Sequence, residues 1–115
     1  MVNYIKHIYN AFKNSLYGLY YVLFEKAFRI EIIISFFLIP LTLYYNHNPI
    51  KIAIIMFAWF IVLITEIINT AIEKTIDRIS NKKHILSKKA KDLGSAAVFL
   101  SIVNIFIIYF IMIFY

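Results

Sequence analysis

The chain contains no cysteine, so no disulfide, thiolate metal site or thiol redox chemistry is open to it. It has only two glycines, Gly18 and Gly94, which excludes a glycine-rich phosphate loop; a nucleotide would have to be held by side chains and a metal. Charge is sparse, at 16% of 115 residues, while 63% are hydrophobic and 18% aromatic. A soluble domain is nearer 45–50% apolar and about 25% charged. A chain this short has too little interior to hide so much apolar surface from water. The composition therefore defines an integral membrane protein, and the length a single domain over residues 1–115. No removable signal peptide is evident, because Lys6, Lys13, Glu25, Lys26, Arg29 and Glu31 interrupt the apolar text.

Hydropathy divides the chain into four helices. Between about residues 3 and 29, Ile5, Ile8, Tyr9, Phe12, Leu16, Leu19, Leu23 and Phe24 recur at three- and four-residue steps, with Lys6, Asn10, Lys13 and Asn14 between them. This pattern predicts an amphipathic helix on the membrane surface, its basic groups toward lipid phosphates. A first spanning helix is expected at about 30–45, kinked at Pro40. A second spans at about 50–72, within a helix continuing to about Ile79. Ser80 to Lys91 reads as a polar, basic connection. The third, about 93–115, is free of charge throughout. Trp59 and the tyrosines are expected to anchor the interfaces or face lipid.

Lysine and arginine set the orientation. Of twelve, seven (Lys74, Arg78, Lys82, Lys83, Lys88, Lys89, Lys91) lie in or beside the second connection, four (Lys6, Lys13, Lys26, Arg29) precede the first span, and Lys51 alone lies at the turn between them. The positive-inside rule places the N-terminus and the loop 80–91 in the cytoplasm and the C-terminus outside. All six acids (Glu25, Glu31, Glu66, Glu73, Asp77, Asp92) then fall near cytoplasmic helix ends.

Four polar residues in EIINTAIEKTID (Glu66, Asn69, Glu73 and Asp77) fall within about 80° of arc at 100° per residue, one stripe along a helix. Only fourteen uncharged residues separate Lys51 from Glu66, fewer than the roughly 20 that a span needs. Glu66 is thus expected at or inside the hydrocarbon edge, where a carboxylate marks function by default. Carboxylates beside a dense cationic loop suit a metal–nucleotide complex. Magnesium takes one or two carboxylates plus phosphate oxygens and keeps waters. Lysines neutralise the phosphates, and a further carboxylate accepts a hydroxyl proton. Glu66, nearest the lipid, suits the base; Glu73, two turns on, suits the metal; Asn69 can hydrogen-bond either. The bland readings are topology signals for the lysines, solvated helix-end charges for Glu73–Lys74 and Asp77–Arg78, and local pairing of Glu25 and Glu31 with Lys26 or Arg29. His7, His47 and His84 are too scattered to argue a zinc site.

The blocks EKAFRIE (Glu25–Glu31), EIINTAIEKTIDRIS and LSKKAKDLGSAAV (Leu86–Val98) resemble, in order and spacing, the small prokaryotic integral-membrane diacylglycerol kinases. That resemblance implies Glu66 as general base toward the lipid hydroxyl, and Glu25 and Glu73 as acids holding the nucleotide's Mg2+. It implies Asn69, Lys91 and Asp92 around the phosphates and reacting centre, and Lys82, Lys83 and His84 in the nucleotide-contacting loop. Arg29, Glu31 and Ser95, with Glu66, fall at positions lining the lipid pocket. It further implies ATP as co-substrate, the bacterial inner membrane, and a homotrimer whose active sites are shared between neighbours, so that Glu66 and Lys91 need not come from the chain that supplies Glu25. One subgroup phosphorylates undecaprenol and carries His where this chain has Glu31; the Ala27–Glu31 block is closer to the diacylglycerol form. An alternative of another class is a small proton-coupled exporter using one intramembrane Glu, which would leave Glu25, Glu73, Asp92 and the cationic loop without a task.

Overall fold

A computed structural model describes residues Met1–Tyr115, all helical apart from short connections: α1 Val2–Val22, α2 Lys26–Tyr45, α3 Pro49–Ile79 and α4 Ile85–Phe114. α2, α3 and α4 are long and apolar enough to cross a membrane. At 1.5 Å per residue the 20 residues of α2 match a hydrocarbon core of about 30 Å. α3 and α4, with 31 and 30 residues, exceed it by about half. One end of the α3–α4 hairpin therefore stands clear of the apolar layer, and all its charged residues except Lys51 lie toward that end.

The segment expected as a single surface helix to residue 29 divides. α1 stops at Val22, Glu25 turns extended with φ −77° and ψ 131°, and Lys26–Arg29 form the first turn of α2. No proline or glycine marks the break. Val22 and Phe28, on either side of it, are both buried, whereas in a continuous helix they would lie about 120° apart around the axis. Every residue from Val2 to Tyr21 is exposed, so α1 stands apart from the bundle and the molecule measures 48 × 46 × 22 Å.

α2 passes through Pro40 without interruption. Its end and the start of α3 are built by asparagines: Asn46 Nδ2 donates to the Thr42 carbonyl at 3.2 Å, and Asn48 Oδ1 accepts from the Ile50 and Lys51 amides at 2.9 and 3.4 Å, with Pro49 at the first helical position. This is the expected helix start, an Asn cap followed by a residue that has no N–H to satisfy. The connection read as 80–91 is non-helical only over 80–84. The Lys82 amide donates to Ser80 Oγ at 3.0 Å, His84 Nδ1 accepts from the Leu86 amide at 3.1 Å, and α4 begins. Lys88, Lys89 and Lys91 are good helix formers outside the apolar layer, so they extend α4 rather than the loop.

The core is thin. Ile55, Ala58, Trp59 and Val62 of α3 pack with Ile105 of α4, flanked by Leu38 and Ile39 of α2 and by Ile102, Ile108, Tyr109 and Met112 of α4. α3 is the central element: it packs chiefly on α4 and secondarily on α2. Trp59, expected at an interface or against lipid, is buried instead, and its indole N–H donates to Tyr109 Oη at 3.1 Å. Tyr109 Oη also lies 3.0 Å from Thr42 Oγ1, joining all three long helices through one hydroxyl. Nearer the charged end, Thr65 Oγ1 and Ser101 Oγ meet at 3.0 Å. In an apolar layer such side-chain bonds hold helices together where burial of oily surface against oily lipid does little. Most large apolar side chains, from Phe36 and Phe37 to Phe110 and Phe114, remain exposed.

Candidate active site

The helices alternate in direction, so the start of α2, the end of α3 and the start of α4 meet at one end of the bundle. All six acids are there. Along the α3 stripe exposure rises with distance from the apolar core: Glu66 and Asn69 are 6% and 7% exposed, Glu73 is half-buried and Asp77 is exposed. The stripe thus runs from the apolar layer out to solvent, as its helical spacing predicts.

Glu66 is engaged by no ion pair and no side-chain hydrogen bond within the chain. Glu31, across on α2, is also buried, and its Oε2 has no hydrogen-bond partner. Glu25 and Glu73 are half-buried at the same end of the bundle, so four carboxylates gather there within a single chain. Buried carboxylates left without partners are costly, and they persist where a substrate, cation or proton completes them.

Glu25 is the residue before α2, yet its side chain does not cap that helix. It reaches across to α3, where Lys74 Nζ lies 2.7 Å from Glu25 Oε1. Neither Lys26 nor Arg29 is its partner. Asn69 Nδ2 donates to Glu73 Oε1 over a long 3.5 Å, whereas Asn69 Oδ1 is buried and accepts nothing. The Asn69 side chain lies against Gly94 of α4, a residue whose importance the sequence does not disclose. A glycine at a helix crossing announces itself only when its neighbour is known.

Lys82, Lys83, His84, Lys91 and Asp92 line one open cavity of about 680 Å³ between the end of α3 and the start of α4, together with Asp77, Ser80 and Lys88. Two of its lysines are paired: Lys91 Nζ with Asp77 Oδ1 and Lys88 Nζ with Asp92 Oδ2, both at 2.6 Å. These are exposed pairs, weak and exchangeable for another anion. Lys82 and Lys83 are in no ion pair. Arg29 and Ser95, expected at the lipid pocket, are exposed and make no ion pair or side-chain hydrogen bond with Glu31 or Glu66.

No three His, Asp or Glu side chains converge as a ready metal cage. The available donors, Glu25 and Glu73, are hard oxygen ligands. That set fits a cation which takes one or two carboxylates and draws its remaining oxygens from phosphates and water, as Mg2+ does.

Fold and site together define a helical membrane protein with an acid cluster at the edge of its apolar layer and a basic cavity beside it. The family model described as prokaryotic diacylglycerol kinase matches residues 13–113, and the chain belongs to that family. A Haemophilus influenzae protein named diacylglycerol kinase is 38% identical over 99 residues, covering 85% of this chain and 84% of its own length. One of the same name from Pseudomonas aeruginosa is 39% identical over 100 residues, 85% of this chain and 80% of its own. A Helicobacter pylori relative, again so named, is 34% identical over 79 residues.

Proposed function

We propose that the protein is an ATP-dependent lipid kinase that phosphorylates diacylglycerol to phosphatidic acid. Family membership supports the activity, and one observation carries its assignment to this site: a buried, unengaged carboxylate, Glu66, stands at the inner end of a stripe that runs through half-buried Glu73 to exposed Asp77. A lipid hydroxyl arrives from the apolar side and a nucleotide from the aqueous side, and Glu66 lies where they meet.

In this reading the lipid hydroxyl oxygen attacks the γ-phosphorus, the bond from that phosphorus to the β–γ bridging oxygen breaks, ADP leaves, and the hydroxyl proton passes to Glu66. Glu25 and Glu73 would hold Mg2+, which neutralises charge developing on the phosphate oxygens. Asn69 orients Glu73 through its amide N–H. Lys82, Lys83, His84, Lys91 and Asp92 contact the nucleotide, with Lys91 released from Asp77 as phosphate replaces it. Glu31 would meet the lipid headgroup from its buried position, and Arg29 and Ser95 from the exposed surface.

The topology follows the cationic residues: α1 on the cytoplasmic surface of the bacterial inner membrane, the loop at 80–84 in the cytoplasm, and the C-terminus outside. The exposed apolar faces and the open side of the acid group suit a homotrimer in which neighbours complete each site's walls. The acids themselves come from one chain.

Purified protein in mixed micelles, given radiolabelled ATP and Mg2+, should transfer label to diacylglycerol, and transfer should stop with EDTA. Label appearing in undecaprenol and not in diacylglycerol would replace the substrate. Label in neither would remove the kinase reading.

A further inference from the structure

Gly94 lies in α4, two residues past Asp92, where α4 crosses the Asn69 turn of α3. A methyl group built there overlaps Asn69 Oδ1 and comes within 3.3 Å of Asn69 Cγ. The next neighbour, Ile72 Cδ1, is at an ordinary 3.6 Å, so the three nearest atoms from α3 all belong to side chains. The requirement for glycine therefore comes from a single side-chain amide, not from the approach of two helix backbones. Gly94 also has no unusual backbone conformation to explain it. Helix propensity alone would favour alanine at this position.

The amide in question is itself unusual. Asn69 is buried, its Oδ1 accepts no hydrogen bond, and its Nδ2 points to the Glu73 carboxylate. An amide choosing its own orientation would turn Oδ1 toward a donor. Here the oxygen is seated on the bare Cα of Gly94, and that seat leaves the N–H side toward Glu73, the only arrangement in which amide and carboxylate attract.

We propose that Gly94 is a positioning residue: the space left by its missing side chain seats the Asn69 amide so that Nδ2 is held against Glu73. The inference rests on the roles given to Asn69 and Glu73 above. The nearest obstacle to a methyl group is the far end of a flexible side chain. Gly94→Ala therefore keeps the bundle but swings the amide away from Glu73, separating activity from stability.

The test compares wild type, Gly94→Ala, Asn69→Ala and the double variant in detergent micelles. Three readouts are taken: thermal unfolding, kcat and KM for Mg-ATP, and the side-chain NH2 resonances of asparagine-labelled protein, with Asn69 assigned by its loss in Asn69→Ala. Gly94→Ala is expected to unfold no lower than wild type, to shift the Asn69 NH2 resonances, and to lose at least about tenfold in kcat/KM. The double variant should match Asn69→Ala within about twofold, because the two residues act through one contact. Unmoved Asn69 resonances in Gly94→Ala overturn the proposal. So does a full additional loss in the double variant, or a lowered unfolding temperature that Asn69→Ala does not restore, since the obstacle would then be helix packing. If the wild type phosphorylates no diacylglycerol, the kinase reading fails alone, and the resonances and unfolding temperatures still decide the role of Gly94.

Discussion

Lys74 of α3 grips Glu25 at the junction of α1 and α2, with Nζ 2.7 Å from Oε1. Forty-nine positions of sequence are closed by this contact, and its consequence is chemical. It brings a carboxylate from the first break in the chain to α3, onto the residue that follows Glu73 in the stripe beginning at Glu66. The exposed pair adds little stability. Its use is to place Glu25 where a cation bound by Glu73 could share it.

Glu66→Gln should leave the fold and the affinity for Mg-ATP nearly unchanged and reduce turnover by at least about 10²-fold, the usual scale for losing a general base. The substitution preserves shape and removes only the proton-accepting charge. Steady-state kinetics in mixed micelles, with circular dichroism as the folding control, measures both. Near-native turnover in a folded variant would take Glu66 out of the base role.

Glu73→Gln and Glu25→Gln should act on the metal instead. Each removes an anionic oxygen from a hard cation, so apparent affinity for Mg-ATP falls and added Mg2+ restores part of the rate. A magnesium titration of each variant at fixed ATP distinguishes this from a loss of turnover alone. An unchanged magnesium dependence in both would leave the cation without its two protein ligands.

Much of this fold is legible from charge. Three uncharged runs, bounded by Arg29–Glu31, Lys51, Glu66 and Asp92, delimit the three spans, and the spacing of Glu66, Asn69, Glu73 and Asp77 by itself places them on one face. The break at Leu23–Glu25 is not legible, because it arises from burying Val22 and Phe28 together and no local breaker marks it. The pairings of Lys91 with Asp77 and Glu25 with Lys74 are equally hidden, being set by helix docking. Trp59 misleads for a related reason. An indole at membrane depth suits either an interface or a core, and only the Tyr109 hydroxyl, fifty residues away, decides it. Gly94 is the extreme case, since its role is an absence that only Asn69 defines.

Tyr109→Phe tests the uncharged end. It removes the hydroxyl that accepts from Trp59 and meets Thr42, leaving a buried indole N–H without a partner. Loss of such a bond in an apolar layer is expected to lower stability by about 0.5–2 kcal/mol. Turnover at temperatures well below unfolding should stay within about twofold of wild type, because Trp59 is two helical turns of α3 from Glu66. Thermal unfolding in detergent beside the kinase assay gives both values; a large loss of turnover with unchanged unfolding would link this network to the acid group.

Subunit mixing asks which chain supplies the acids. Shared sites, as the family resemblance implies, would allow Glu25 and Glu66 to come from different copies. Within one chain, however, Lys74 Nζ lies 2.7 Å from Glu25 Oε1, so Glu25 is paired with the same helix that carries Glu66. Both carboxylates then belong to the same site, and an oligomer assembled from Glu25→Gln and Glu66→Gln subunits contains no site with both intact. Unfolding, mixing and reassembling the two inactive variants should therefore give no more activity than either alone, while wild type carried through the same cycle recovers. Activity well above both parents would show that the site takes Glu25 from one copy and Glu66 from the next, and that the Glu25–Lys74 contact within the chain does not set the catalytic partner.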